Sequence, residues 1–435
     1  MREPVPLKEY PQQLQIMPLA RPPRAVIAVP GSKSLTNRAL IVAALGENCC
    51  TIHNALKSDD TAVMAEALRA LGRQVEVFDE GDCITVHPSP GARRIPVEQA
   101  SLFVGNSGTS MRFLSAFVCL EAGSYRLDGV PRMRERPIGD LLKALDQLGV
   151  RVQCEFGNDC PPVRIESKGL SGGTVTIRGD TSSQFLSALL LVAPFVEGDT
   201  SIRLDGTLVS KPYVQMTIEF LRHCGLQLDT ADLTRFDIPG WQKFSRREIA
   251  IEPDASGASY FWAAAAITGG SVTVPEITRA SLQGDVRFVE LLKQMGCRVE
   301  YCSSGITVHG RELHGIDADM NDISDTVMTL AVVACFANGP TTIRNVSHIR
   351  HKETDRISAV ATEIRRIGAD VEELSDGLKI VPGLLHGACV QTYDDHRMAM
   401  SLALAGLRVP GLVVDNPGCV AKTYPGFWED LKLLG

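Results

Sequence analysis

The feature that most constrains this chain is a glycine that returns at a nearly fixed interval. Gly72, Gly149, Gly225, Gly296, Gly368 and Gly435 stand 77, 76, 71, 72 and 67 residues apart. Each closes an amphipathic run such as MAEALRALG, LLKALDQLG, FVELLKQMG or FWEDLKLLG, where a helix C-cap is needed before a strand. A second signal recurs out of phase with the first. A small or polar cluster opens an apolar run in SKSLTNRALIVAAL, GNSGTSMRFLSAFV, GDTSSQFLSALLLVAP, PDASGASYFWAAAAI, NDISDTVMTLAVVACFA and YDDHRMAMSLALAGL. Measured at Ser34, Ser107, Ser182, Ser256, Ser324 and Asp395, these copies are 73, 75, 74, 68 and 71 residues apart. β-rich segments such as SYRLDGV, TSIRLDGT and GSVTVPEI lie between the two helices, and alternating stretches such as RVQCEF and RVEYCS follow the second.

Six βαβαββ modules of about 70 residues are therefore expected, giving an α/β protein. Solenoid repeats run to roughly 20–45 residues, so longer modules suggest compact domains built from several copies each. At about 150 residues per domain, 435 residues suggest two or three. The first helix of each module is apolar along its length and belongs in a core, whereas the second is charged on one face and belongs outside. Three buried helices side by side would point their N-termini one way, adding their dipoles and leaving unpaired backbone donors at one end. Two such globules facing one another would enclose an anion trap.

Charge sharpens that expectation. The chain carries 44 Lys plus Arg against 51 Asp plus Glu, a net charge of -7, so no whole-surface attraction draws it to nucleic acid or anionic lipid. An anion site must then be a local cluster of cations. No apolar run approaches about 18 residues, and MREPVPLKEYPQQLQIMPLARPPR interrupts itself with prolines and charges, so neither a membrane span nor a signal peptide is expected. The chain reads as a folded, cytoplasmic protein. Its 12 cysteines show no CxxC pair, and neither Cys49-Cys50 nor Cys154 with Cys160 has the spaced partners of a zinc site. Reduced thiols and no metal are expected.

The polar residues fall at the starts of the buried helices. Lys33 stands at the entrance of the first, with Ser34 and Arg38 four apart on one face, a set suited to phosphate or carboxylate. An N-cap with solvated cations accounts for that helix taken alone. Gly105 to Thr109 has the composition of a phosphate-cradling turn, with Gly108 permitting close approach and Arg112 one turn on. Arg132, Arg134 and Arg136 surround Glu135 in what could equally be a solvated loop. Ser182, Ser183 and Gln184 open the third helix, and Ser210 and Tyr213 flank a proline turn; ordinary capping explains either. In the second half, Asp325 opens the fifth-copy helix, and Lys352, Glu353 and Arg356 lie within one helical turn, where Glu353 and Arg356 could form a surface ion pair. His396 and Arg397 open the sixth, His396 being by default a core or capping histidine, and Lys422 follows Gly418-Cys419. Taken together, cations at many helix starts with only Asp325 and Glu353 as carboxylates describe a site for a polyanionic substrate with one or two acid/base groups.

PGSKSLTNRAL, GNSGTSMR, DGVPRMRERPIGDLL, SSQFLSALL, LVSKPY, DASGASYF, RHKETDR, TYDDHRMAMS and AKTYP together resemble the 5-enolpyruvylshikimate-3-phosphate synthase family, over about Ala25 to Gly435. The resemblance implies a two-domain inside-out α/β barrel with three modules per domain. It places residues 32–252 in one domain and 1–31 plus 253–435 in the other, with the active site in the interdomain cleft and hinges near Gly31 to Lys33 and Glu252 to Asp254. It implies that shikimate 3-phosphate takes Lys33, Ser34, Arg38, Ser182, Ser183, Gln184, Ser210, Tyr213, Asp325 and Lys352. Phosphoenolpyruvate would take Lys33, Gly108, Arg136, Gln184, Arg356, Arg397 and Lys422. Asp325 and Glu353 match the acid/base carboxylates, with Lys33 and His396 beside the reacting atoms. No metal or organic cofactor is implied, and the partners are the two small-molecule substrates, handled by a monomer.

Three departures from the family pattern stand out: Phe113 after Arg112 where proline is common, Ser107 where alanine is common, and His348 where an asparagine often meets the shikimate phosphate. Gly108 points to sensitivity to the inhibitor glyphosate. About 24 residues precede the first clear strand, with no role evident from sequence. Rival readings fit less of the chain. UDP-N-acetylglucosamine enolpyruvyl transferases open with a GAKN-type turn and carry a loop cysteine, where this chain has GSKS and no cysteine near Arg132. RNA 3'-phosphate cyclases call for a basic face. A non-catalytic repeat scaffold would leave the helix-start cations unexplained.

Overall fold

The computed structural model describes residues 10–78, 80–91 and 93–435. Two compact units divide the chain: a first unit of Pro30–Asp254 with Ala280–Gly284, and a second of the N-terminal piece to Val29 with Ala255–Arg279 and Asp285–Gly435. Each holds one contiguous hydrophobic core.

The helices alternate as the two glycine-phased signals require. In the first unit α1 (Lys33–Ala44) is followed by α2 (Asp59–Ala70), α3 (Gly108–Phe117) by α4 (Gly139–Gln147), and α5 (Ser183–Val192) by α6 (Lys211–His223). In the second, α7 (Ala255–Thr268) precedes α8 (Phe288–Gln294), α9 (Val327–Ala334) precedes α10 (Arg356–Arg366), and α11 (His396–Gly406) precedes α12 (Phe427–Lys432). Every residue of α3, α9 and α11 is buried, and α1, α5 and α7 are buried along nearly their whole length. After the other helix of the first five pairs, Gly72, Gly149, Gly225, Gly296 and Gly368 all have φ between +85° and +114°, the left-handed conformation that satisfies the last carbonyls.

Six sheets share one pattern, a parallel pair extended by antiparallel strands. Gln99–Phe103 lies parallel to Ala122–Asp128, which pairs antiparallel with Val163–Lys168 and through it with Arg151–Cys154. Asp317–Asp319, Thr341–Arg344, Leu378–Val381 and Asp370–Glu373 repeat the arrangement in the second unit. The strand preceding α1 in sequence, Arg24–Val26, completes the sheet of Ser271–Pro275 in the second unit. The strand preceding α7, Glu248–Ala250, completes the sheet of Cys50–His53 in the first. Each unit is thus closed by a strand from outside its own run of modules.

The structure departs from the regular module in three places. The third sheet has three strands, ending at Arg235–Ile238. The sixth is finished by Gln13–Gln15, antiparallel to Val413–Asp415, and Ile16 joins the second core. That strand gives the N-terminal stretch a role that its sequence does not show; residues 1–9 of it lie outside the described residues. Asp325 does not open a helix. It sits in a 3-10 turn, Asn321–Thr326, broken at Ile323, and α9 starts at Val327.

Among the described residues no helix is long and apolar enough to cross a membrane, and no group of three His, Cys, Asp or Glu is placed to hold a metal ion. All 12 cysteines are free thiols, and burial raises the pKa of most of them.

Candidate functional site

In the first unit the helix starts converge. Pro30–Lys33 is fixed against the far end of the unit's main segment: Ser32 N–H donates to Glu252 O at 2.8 Å, Asp254 N–H to Pro30 O at 2.8 Å, and Lys33 N–H to the Asp254 carboxylate at 3.2 Å. Gly31 is required there because a Cβ would sit 1.8 Å from Asn54 O. The Lys33 ammonium reaches Asp60 Oδ2 at 3.2 Å, and Asp60 is 3% exposed in the first turn of α2. Arg38, also 3% exposed, ties three helices together. Its Nε donates to Thr217 Oγ1 at 2.9 Å, Nη1 to Ser34 O at 2.9 Å, and Nη2 to Tyr213 O at 3.2 Å and Ser187 Oγ at 3.4 Å. Its guanidinium lies 5.3 Å from the centre of the Phe113 ring, so that departure from the common proline packs on a cation. Burial brings the Arg38 guanidinium down to about 9, still a cation at neutral pH.

A few residues on, Gln184 Nε2 donates to Thr109 Oγ1 at 3.3 Å, which sets the starts of α3 and α5 side by side. Ser182 caps α5, accepting from Gln184 N–H at 3.3 Å, and Ser210, at φ +53°, precedes α6 with Pro212 in its first turn. Gly108 opens α3 against Arg136, whose Nη1 donates to Asn106 O at 2.9 Å and Oδ1 at 3.1 Å. Arg112 Nη1 donates to Gly108 O at 3.2 Å and Nη2 to Pro137 O at 2.6 Å. Of the three arginines in the Arg132 to Arg136 stretch, Arg136 is the buried one; Arg132 pairs with Glu135 and Arg134 with Asp128.

The second unit holds the other cluster. The hydroxyls of Ser259 in α7, Thr329 in α9 and Ser401 at the middle of α11 follow one another at 3.4 and 3.2 Å, so these three buried helices pack side by side. Arg356, 1% exposed, stands at the head of α10 and joins three carboxylates. Nε donates to Asp395 Oδ2 at 2.8 Å, Nη1 to Asp325 Oδ1 at 3.1 Å and Nη2 to Glu353 Oε2 at 2.9 Å. Arg397 Nη2 takes the other oxygen of Asp325 at 2.8 Å. Burial works against the Arg356 charge, but Asp395, Glu353 and Asp325 outweigh it and hold its pKa above the ordinary guanidinium value. His396 is 1% exposed, with Nδ1 3.8 Å from Asp395 Oδ1, and Lys422 is 8% exposed.

Two expectations are corrected here. Glu353 and Arg356 form a buried pair and not a surface one, with Arg356 also held by Asp395 and Asp325 from distant parts of the chain. Lys352 and Glu353 also lie ahead of α10, which starts at Arg356, so the three do not share a helical turn. His348 is buried beside Lys352, and burial first, then that lysine, pushes its imidazole down to about 3. Asp60 and Asp395, which hold Lys33 and Arg356, are not among the site residues that the sequence points to, where Asp395 serves only to mark the sixth apolar run. Their only signal there is the ordinary acidic start of a helix, in SDDT and YDDH, which capping explains without any site.

The model of the family described as EPSP synthase (3-phosphoshikimate 1-carboxyvinyltransferase) matches residues 21–431. A 3-phosphoshikimate 1-carboxyvinyltransferase of Nostoc punctiforme is 48% identical over 416 residues, covering 95% of this chain and 97% of that one. The chloroplastic enzyme of that name from Arabidopsis thaliana is 46% identical, covering 94% and 82%. Among solved structures, the EPSP synthase of Acinetobacter baumannii superposes with a TM-score of 0.80 at 27% identity over 98% of both chains. The enolpyruvyl transferase NikO of Streptomyces tendae, at 22% identity and TM-score 0.75 over 97% of both chains, shares the fold.

Proposed function

The chain belongs to the EPSP synthase family, and on that premise we propose that it transfers the enolpyruvyl group of phosphoenolpyruvate to the 5-hydroxyl of shikimate 3-phosphate. Phosphate is released, in the pathway to chorismate and the aromatic amino acids. The observation that carries the reading is the pair Arg356 and Arg397 sharing the two oxygens of Asp325. Two buried guanidinium groups on one carboxylate are cations provisionally satisfied, and a substrate with a carboxylate and a phosphate competes for them directly.

That competition gives Asp325 its role. Once phosphoenolpyruvate takes Arg356, Arg397 and Lys422, the Asp325 carboxylate is released to accept the 5-hydroxyl proton as the oxygen attacks carbon 2. Glu353 in its protonated form gives its proton to the methylene carbon, which becomes a methyl group, with Lys33 and His396 beside the reacting atoms. The resulting tetrahedral intermediate loses phosphate as the carbon 2 to phosphate-oxygen bond breaks and a proton of the new methyl group returns to Glu353, restoring the double bond. Shikimate 3-phosphate takes Ser34, Arg38, Ser182, Ser183, Gln184, Ser210, Tyr213 and Lys352, together with Lys33 and Asp325. Lys33, Gly108, Arg136 and Gln184 complete the phosphoenolpyruvate set. Cations and helix starts offset the repulsion between two polyanions.

The proposal includes the domain division at 32–252 against 1–31 with 253–435, a monomeric state and a cytoplasmic location, and no metal or organic cofactor enters the steps. Mass spectrometry of the chain incubated with both substrates tests it: the shikimate product should gain the enolpyruvyl mass. Asp325→Ala and Glu353→Gln should each slow turnover by roughly 100-fold or more. Near-normal turnover in both would remove the acid/base assignment, and no product from the wild-type chain would remove the function.

A further inference from the structure

Two consecutive residues just before α11, Tyr393 and Asp394, have φ of +55° and +54°. Left-handed backbone is tolerated by aspartate but unfavourable for a bulky residue such as Tyr393, and a run of two outside glycine persists only where the surroundings hold it. The holding groups both come from α10. Glu363, fully buried, accepts from the Tyr393 hydroxyl at 2.8 Å and from Gln391 N–H at 3.0 Å, with Arg366 Nε donating to it at 2.8 Å. Two turns earlier on the same helix, Arg356 grips Asp395, which in turn accepts from Arg397 N–H at 2.9 Å and caps α11. One rigid helix therefore holds the turn at Gln391 and Tyr393 and again at Asp395.

A buried carboxylate must be paired, and two of the three partners of Glu363 belong to this turn. Glu363 lies seven residues beyond Arg356, on the part of α10 away from the cluster, so pairing with substrate does not account for it. We propose that Glu363, through Tyr393 and Gln391, is a positioning residue that keeps the turn left-handed and so sets where His396 and Arg397 stand relative to Arg356. The inference rests on the reading that Arg356 and Arg397 bind phosphoenolpyruvate.

The test compares the full chain with Glu363→Gln and Tyr393→Phe, following kcat, KM for each substrate, and amide hydrogen exchange over residues 391–398. A small displacement of a binding group costs roughly 10- to 100-fold, so KM for phosphoenolpyruvate should rise by that much while KM for shikimate 3-phosphate stays within about twofold. Exchange at Asp395 to Arg397 should quicken. Glycine adopts a positive φ freely, so Asp394→Gly added to Glu363→Gln should recover most of the lost phosphoenolpyruvate affinity. An unchanged KM for phosphoenolpyruvate in folded Glu363→Gln overturns the proposal, as does an equal rise for both substrates or a failure of Asp394→Gly to rescue. If the wild-type chain proves inactive, the function falls on its own, and unchanged exchange in Glu363→Gln would still show that Glu363 does not hold the turn.

Discussion

A methyl group on Gly108 would lie 2.3 Å from Arg136 Nη2 and 3.0 Å from Arg112 Nη1, so one hydrogen atom at the head of α3 fixes where two guanidinium groups stand. Gly108→Ala should therefore displace Arg136 and raise KM for phosphoenolpyruvate about 10-fold or more, leaving KM for shikimate 3-phosphate nearly unmoved. Steady-state kinetics with each substrate varied in turn measures both. His348 makes a second prediction. Its folded pKa of about 3 lies below the ordinary 6.5, so between those values the unfolded chain binds a proton that the folded chain does not. The contribution to stability is complete above about pH 6.5 and is lost as the pH falls toward 3, at about 1.4 kcal/mol per unit. Urea unfolding at pH 7 and pH 5 should show His348→Asn losing about 2 kcal/mol less than wild type over that interval. At this scale the sequence reveals which residues carry charge but not which are covered. Glu353 and Arg356 have the same i, i+3 spacing as any surface pair, and the partners Arg356 has in the fold, Asp395 and Asp325, are remote in sequence.

The glycine series was legible because each helix end imposes the same local requirement, repeated five times with positive φ. Its energetic content differs from position to position. Gly225 has φ +85° and open space where a Cβ would go, so Gly225→Ala should cost only the conformational penalty, about 1 kcal/mol by chemical denaturation. Gly31→Ala places a Cβ on Asn54 O and should cost several times more, at the segment that carries Lys33. Equal losses in the two variants would contradict this distinction. Elements whose ends depend on distant partners were not legible. The 3-10 turn at Asn321–Thr326 reads as the start of an apolar helix, and the short third and sixth sheets follow from which strands are at hand, not from local pattern.

Six copies of a module predict six sheets, and six are found among the described residues, but copy number alone does not say which strand completes which copy. Arg24–Val26 and Glu248–Ala250 each join the unit other than the one holding the helix that follows them in sequence. Periodicity cannot distinguish that exchange from a simple run, because both place a strand before each buried helix. Gln13–Gln15 adds a further partner at the edge of the sixth sheet. Removal of residues 1–15 should lower the melting temperature by roughly 2–8 °C, read by differential scanning calorimetry. No change would mean that this strand contributes nothing to the second unit. The candidate site was legible for a different reason: its cations are spelled out at helix starts in motifs long enough to carry a family resemblance, whereas the carboxylates holding them, Asp60 and Asp395, look like ordinary caps.

The central claim is that both clusters serve one reaction between two anions, and phosphate release tests it most directly. The assay runs with shikimate 3-phosphate and phosphoenolpyruvate together, with each alone, and with Lys33→Ala beside the wild type. Release that requires both substrates and is lost in Lys33→Ala is the expected result. Release from phosphoenolpyruvate alone, or none from folded wild-type protein with both present, would contradict it.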